Sequence, residues 1–175
     1  TMRKYFLKYG LGDKTGIDLP DEASGLVKNL NSPRDLEYAT ASFGQGVAFT
    51  PMETIRALAS LGNGGLLVTP HLARRINYQD GLTQKVPVMP PRQILKPATS
   101  ADITRMLVTV VDKALLGGTV SLPHYRIAAK TGTAQIAKAD GGGYYEDRYL
   151  HSFFGYFPAY EPRFIVFLYM VYPKG

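Results

Sequence analysis

Three β-type runs crowd the last third of the chain: Tyr125 to Ile136, His151 to Phe157 and Arg163 to Tyr172. A Gly141-Gly142-Gly143 loop separates the first two, and the tight Pro158-Ala159-Tyr160-Glu161-Pro162 turn separates the last two. A glycine loop and a tight turn between adjacent β-prone runs suggest an antiparallel meander. The residues upstream read as helices that cover such a sheet. The fold class expected is therefore α+β, an antiparallel sheet with helices packed on it.

The helices have local signals. Met2, Phe6 and Tyr9 recur at helical spacing, and Gly10 and Gly12 supply a stop. Thr50-Pro51-Met52-Glu53 predicts a helix start in which Thr50 caps, Pro51 takes the first helical position and Glu53 reaches back as the capping-box partner. That helix runs to about Leu61, with Met52, Ile55, Leu58 and Ala59 as its core face, before Gly62-Asn63-Gly64-Gly65 ends it. A further helix is expected from Thr99 or Ser100, with Ile103, Met106, Leu107, Val110 and Val111 on its apolar side and Gly117-Gly118 at its close. Lys14 to Ser32 reads as an irregular excursion, and Leu66 to Lys96 as turns and brief strands.

With 175 residues, 45% apolar and 19% charged, the chain suits one domain able to bury a core. It has no Cys, which excludes disulfides, thiolate metal sites and cysteine nucleophiles. His71, His124 and His151 are too scattered for a metal centre, and no metal or cofactor is expected. No apolar run reaches the roughly 20 residues of a membrane span, and no export signal is read. The net charge of +6 comes from dispersed basic residues, the Arg74-Arg75 pair among the densest, without a nucleic-acid motif. Nucleic acid is therefore not an expected partner.

The chemistry concentrates in Ile127-Ala128-Ala129-Lys130-Thr131-Gly132-Thr133-Ala134-Gln135, a strand of small apolar residues interrupted by a Lys, two hydroxyls and a Gly. A glycine in a strand lets a ligand or neighbouring backbone approach closely. Lys130 is expected to be partly buried, and Thr131 and Thr133 offer donors for a carboxylate. Lys-Thr-Gly also occurs at Lys14-Thr15-Gly16, where Gly10, Gly12, Asp13, Asp18 and Pro20 make Lys14 a solvated turn residue. Gly142, Tyr144 and Tyr145 form a candidate flap beside the Lys130 strand, with a plain hairpin loop as the simpler reading.

Gly10-Leu11-Gly12-Asp13-Lys14-Thr15-Gly16-Ile17-Asp18-Leu19-Pro20, then Ser42-Phe43-Gly44-Gln45-Gly46 leading into Thr50-Pro51 and Asn63-Gly64-Gly65, then Lys130-Thr131-Gly132-Thr133-Ala134-Gln135, together resemble the penicillin-binding proteins, most closely the class B transpeptidases that cross-link peptidoglycan. The resemblance implies a partial penicillin-binding/β-lactamase-like fold and a serine acyl-transfer site that takes D-Ala-D-Ala stem peptides and is blocked by β-lactams. It implies catalytic roles for Lys130, within the hydrogen-bond network of the nucleophile, and for Thr133, whose backbone N–H is an oxyanion-hole donor. It implies that Thr131 and Thr133 hold the substrate carboxylate while Gly132 keeps the strand accessible. It further implies a membrane-anchored parent protein at the outer face of the cytoplasmic membrane.

One departure matters. None of Ser24, Ser32, Ser42, Ser60, Ser100, Ser121 and Ser152 has Lys three residues later or Asn two residues later, so the family's Ser-x-x-Lys and Ser-x-Asn motifs are missing. The expectation is that residues 1–175 are the C-terminal portion of one transpeptidase domain, with the acylating serine upstream. Without the nucleophile-bearing helix, the segment is expected to be inactive alone, to leave apolar surface uncovered and to self-associate. A β-lactamase or β-lactam sensor, and a non-catalytic stem-peptide binding module, are the alternatives.

Overall fold

The computed structural model describes residues 2–174. Helix α1 (Met2–Lys8) ends where Gly10 and Gly12 turn with positive φ. An irregular stretch follows, ending in a 3-10 turn at Lys28–Asn31, and leads to α2 (Asp35–Ala41), a short helix with no counterpart in the sequence reading. Helix α3 (Pro51–Gly62) starts with the expected capping box: Glu53 N–H donates to Thr50 Oγ1 (3.1 Å) and Thr50 N–H donates to Glu53 Oε2 (2.7 Å). Two small ribbons occupy the next segment, β1 (Leu66–Leu67) with β4 (Arg92–Gln93), and β2 (Arg75–Asn77) with β3 (Thr83–Lys85).

Helix α4 (Pro97–Thr109) begins two to three residues earlier than read, because Lys96 takes the extended cap position and Pro97 the first helical one. It runs into a π-turn at Val110–Ala114 and ends at Leu115–Gly118. The meander is present as β5 (Ala128–Ala137), β6 (Tyr144–Phe157) and β7 (Phe164–Val171), antiparallel in the order β5-β6-β7. Val108, Ala128, Tyr156 and Ala159 form its core, flanked by Leu61, Leu107, Phe154 and Ile165.

The expected apolar face of α3 is corrected, and that of α4 is corrected in part, since Val111 is buried and Leu107 packs on the core as expected. On α3, Met52, Ile55, Leu58 and Ala59 are half-buried, whereas Glu53, Arg56, Ala57 and Ser60 are buried. The neighbour on that side is the irregular stretch after α1, whose backbone groups lack a ladder and need polar partners. Glu53 accepts from the N–H groups of Gly12 (3.1 Å), Gly25 (2.9 Å) and Thr50 (2.7 Å). Arg56 donates to the carbonyls of Gly10 (2.7 Å) and Thr15 (3.2 Å). On α4, Met106 is 65% exposed, and the inward positions are Ser100, Thr104, Val108 and Val111. Thr104 and Tyr156 share a hydroxyl–hydroxyl bond of 2.8 Å, and Ser100 Oγ donates to Leu61 O (2.6 Å), so polar contacts set the rotation of the helix.

Lys14 is exposed in an irregular loop, as its turn-rich context suggests, while Thr15 is buried. The Glu22 carboxylate accepts from Thr15 N–H (2.7 Å), the Thr15 hydroxyl and Gly16 N–H (2.9 Å). Burial acts to raise the Glu22 pKa, but those bonds outweigh it and hold the carboxyl below its ordinary range. Asp18 is held low by the N–H groups of Ala73 and Leu72, both at 2.7 Å. A carboxyl with a depressed folded pKa contributes stability above its unfolded pKa and loses it as pH falls through the folded one. Unfolding free energy is therefore expected to fall below about pH 4.5, and Glu22→Gln to flatten that fall; an unchanged pH profile in urea titrations of the variant would refute the linkage.

The accessible surface is 12,065 Å². A compact 19.2 kDa monomer exposes about 8,400 Å². Much of the surplus is apolar: Val166, Leu168, Met170 and Val171 on β7 are each more than two-fifths exposed.

Candidate active site

Among the described residues, strand β5 lies at the edge of its sheet, paired with β6 alone. An edge strand directs the N–H and C=O of alternate residues away from its one partner, which leaves them free for a ligand. Ala128 and Ala129, at 0% and 1% exposure, anchor the beginning of the strand in the core. Small side chains allow that depth. Lys130, Thr131 and Thr133 follow immediately and are exposed.

The expectation of a partly buried Lys130 is thus corrected. Side chains alternate along a strand, so Lys130 shares the face of Ala128, which packs against Val108 and Tyr156. That cover stops short of Lys130, whose ammonium instead curls to the strand edge and donates to Thr131 O at 2.7 Å. The same alternation puts Thr131 and Thr133 on the opposite face from Lys130. What the three residues have in common is the open edge strand, rather than one wall of a cleft.

Across the ladder, Gly132 is paired with Ser152 and Thr133 with His151. A Cβ on Gly132 would stand 2.6 Å from Ser152 Oγ, so a larger residue here would have to displace that hydroxyl. Thr133 Oγ1 lies 3.5 Å from His151 Nδ1, at the outer limit of a hydrogen bond. Ser152 and His151 had no role in the sequence reading, and only cross-strand register places them here.

Beyond the hairpin, Tyr144 and Tyr145 are strand residues of β6, not loop residues, and β6 begins seven residues before the apolar run that signalled it. The polar Tyr144 to Leu150 part of the strand lies past the core, where apolar alternation is not required. Gly142 remains in the turn. The Tyr144 hydroxyl accepts from Gly46 N–H (2.8 Å), Gln45 Nε2 donates to Gln135 Oε1 (3.2 Å), and Gln135 Nε2 donates to Tyr145 O (3.2 Å). These bonds fasten the Ser42 to Gly46 loop to the end of the Lys130 strand. Two motifs some ninety residues apart are thereby joined, a contact that no local sequence signal encodes.

Residues 1–174 match the family model described as the penicillin binding protein transpeptidase domain. The chain is 38% identical over 176 residues to the stage V sporulation protein D of Bacillus subtilis, covering 98% of this chain and 26% of that protein. It is 31% identical over 170 residues to the peptidoglycan D,D-transpeptidase FtsI of Buchnera aphidicola, covering 97% of this chain and 28% of that protein. Among solved structures, penicillin binding protein 3 of Mycobacterium tuberculosis complexed with ampicillin superposes with a TM-score of 0.89 at 29% identity, over 97% of this chain and 39% of that one. The chain thus spans about a quarter of the length of these curated relatives.

Proposed function

Since this chain belongs to the penicillin-binding protein transpeptidase family, in its class B branch, we propose that it forms the Lys-Thr-Gly side of a serine D,D-transpeptidase site. Residues 1–175 are on this reading the C-terminal portion of a single transpeptidase domain, whose upstream portion supplies the attacking serine. The observation that carries the proposal is the free edge of β5, bearing Lys130, Thr131, Gly132 and Thr133 beside a core-anchored pair of alanines.

The serine oxygen gives up its proton to a neighbouring base as it adds to the penultimate D-Ala carbonyl of a stem peptide, or to a β-lactam carbonyl; the carbonyl oxygen takes up negative charge, and its collapse breaks the C–N bond, releasing the terminal D-Ala or opening the lactam ring. The Thr133 N–H stabilises that charge, while the Thr131 and Thr133 hydroxyls hold the ligand carboxylate. Lys130, free of any carboxylate partner within 4.0 Å among the described residues, is available to the nucleophile's hydrogen-bond network. Gly132 lets the ligand backbone approach the strand. The ampicillin complex of the Mycobacterium tuberculosis relative supports a β-lactam as the inhibitory ligand. The parent protein is membrane-anchored with this domain at the outer face of the cytoplasmic membrane; among the described residues no helix is long and apolar enough to cross a membrane.

Labelling with a fluorescent penicillin tests the assignment. Covalent signal is expected in the parent protein and none in residues 1–175 alone; a labelled segment would place the nucleophile inside it. The exposed apolar side chains of β7 are covered by the upstream portion in the parent, so the isolated segment is expected to self-associate. Sedimentation of the segment as a monomer at all concentrations would refute that.

A further inference from the structure

Away from the β5 edge, the segment between α3 and α4 encloses a groove of about 830 Å³ lined by His71, Leu72, Arg74, Arg75, Lys85 and Val88, among others. Arg75 and Lys85 are direct cross-strand partners in the β2–β3 ribbon, so their side chains rise from the same face. Directly opposed like charges destabilise a sheet, and their Cβ atoms stand only about 5 Å apart. Among the described residues no carboxylate lies within 4.0 Å of Arg74, Arg75 or Lys85 to relieve this pair. The nearby Asp18 carboxylate is already taken by the N–H groups of Leu72 and Ala73. Those two bonds hold the groove wall in place, and Val86 N–H donating to Arg74 O (3.2 Å) extends the ribbon beneath it.

We propose that this groove is a binding site for a phosphate-bearing polyanion, whose oxygens bridge Arg75 and Lys85 with Arg74 at the rim. The planar Arg fork suits phosphate, a polyvalent anion can meet both opposed cations at once, and the concave shape favours a compact ligand over a flat protein partner. Leu72 and Val88 supply an apolar wall for the carrier of the phosphate. The site is independent of the β5 edge and stands whether or not the transpeptidase reading does.

The test is calorimetric titration of the parent protein that contains these residues with tripolyphosphate at low ionic strength. Saturable binding is expected, and R75Q/K85Q should weaken it by about tenfold or more, because it removes two charge-assisted contacts. Since both side chains are exposed, the fold should survive; a charge-matched K113Q/K138Q variant should bind like the unmodified chain. Given that result, co-sedimentation with phosphatidylglycerol vesicles that tripolyphosphate competes away assigns the phosphate to a lipid headgroup, and its absence assigns a soluble phosphate. No saturable binding, an equal loss in K113Q/K138Q, vesicle binding unaffected by R75Q/K85Q, or tighter binding of polyglutamate than of tripolyphosphate would each overturn the proposal.

Discussion

Glu53→Ala is expected to lower the unfolding free energy by about 3–5 kcal/mol, because it removes the one carboxylate that serves three separate pieces of backbone and faces a buried cation. Glu53 is 0% exposed, and its oxygens accept from Gly12, Gly25 and Thr50. The alanine variant would leave those N–H groups without a partner in a place water reaches poorly, and would delete half of the α3 capping box. It would also strip the Arg56 guanidinium of a neighbouring charge. Burial lowers the Arg56 pKa, and Glu22, Asp13 and Glu53 act against that in turn. Urea unfolding checks the expectation, with a lower midpoint and an unchanged slope. A loss under about 1 kcal/mol would mean that the loop is held by something else. Glu53→Gln, which keeps an acceptor but loses the charge, should fall in between.

In the parent protein, Lys130→Ala is expected to slow β-lactam acylation by about 10²–10³-fold, the scale of losing one preorganised group at a site of developing charge. The same substitution should move the unfolding midpoint little, because Lys130 is exposed and its side chain bonds, among the described residues, to the adjacent carbonyl alone. That separation distinguishes a site residue from a structural one, since a surface lysine on an edge strand would change neither quantity. Acylation within a factor of about two of the unmodified enzyme would remove Lys130 from the site. Lys130→Arg is a second check: a planar fork in place of a compact ammonium should not restore the rate.

What could be read in advance was local. The α3 capping box is a matter of Thr50, Pro51 and Glu53 within one turn, and the structure has it as written. The meander follows from short connections between β-prone runs, and it too is present. Lys14 is exposed in an irregular loop, as its turn-rich neighbours lead one to expect, but exposure does not separate the two Lys-Thr-Gly copies, since Lys130 is exposed as well. The motif order from Gly10 to Gln135 was enough to indicate the family.

Other features were settled by residues distant in the chain. Hydrophobicity marks Met52, Ile55 and Leu58 as an inner face, but α3 turns Glu53 and Arg56 inward because the loop packed on it is short of hydrogen-bond partners. Met106 has the right spacing to be buried, yet Thr104 is the inward residue, since the Tyr156 hydroxyl awaits it across the core. Lys130 was expected inside and stands exposed, because the packing that covers Ala128 ends before reaching it. The junction of Gln45 with Gln135 has no sequence signature at all. Turns, caps and strand pairing within a hairpin are energies of neighbouring residues, so the order of amino acids is sufficient to specify them. Which side of a helix faces inward, and which polar groups meet there, depends on the unmet hydrogen bonds and the shape of segments far along the chain, and these exist only once the chain has folded.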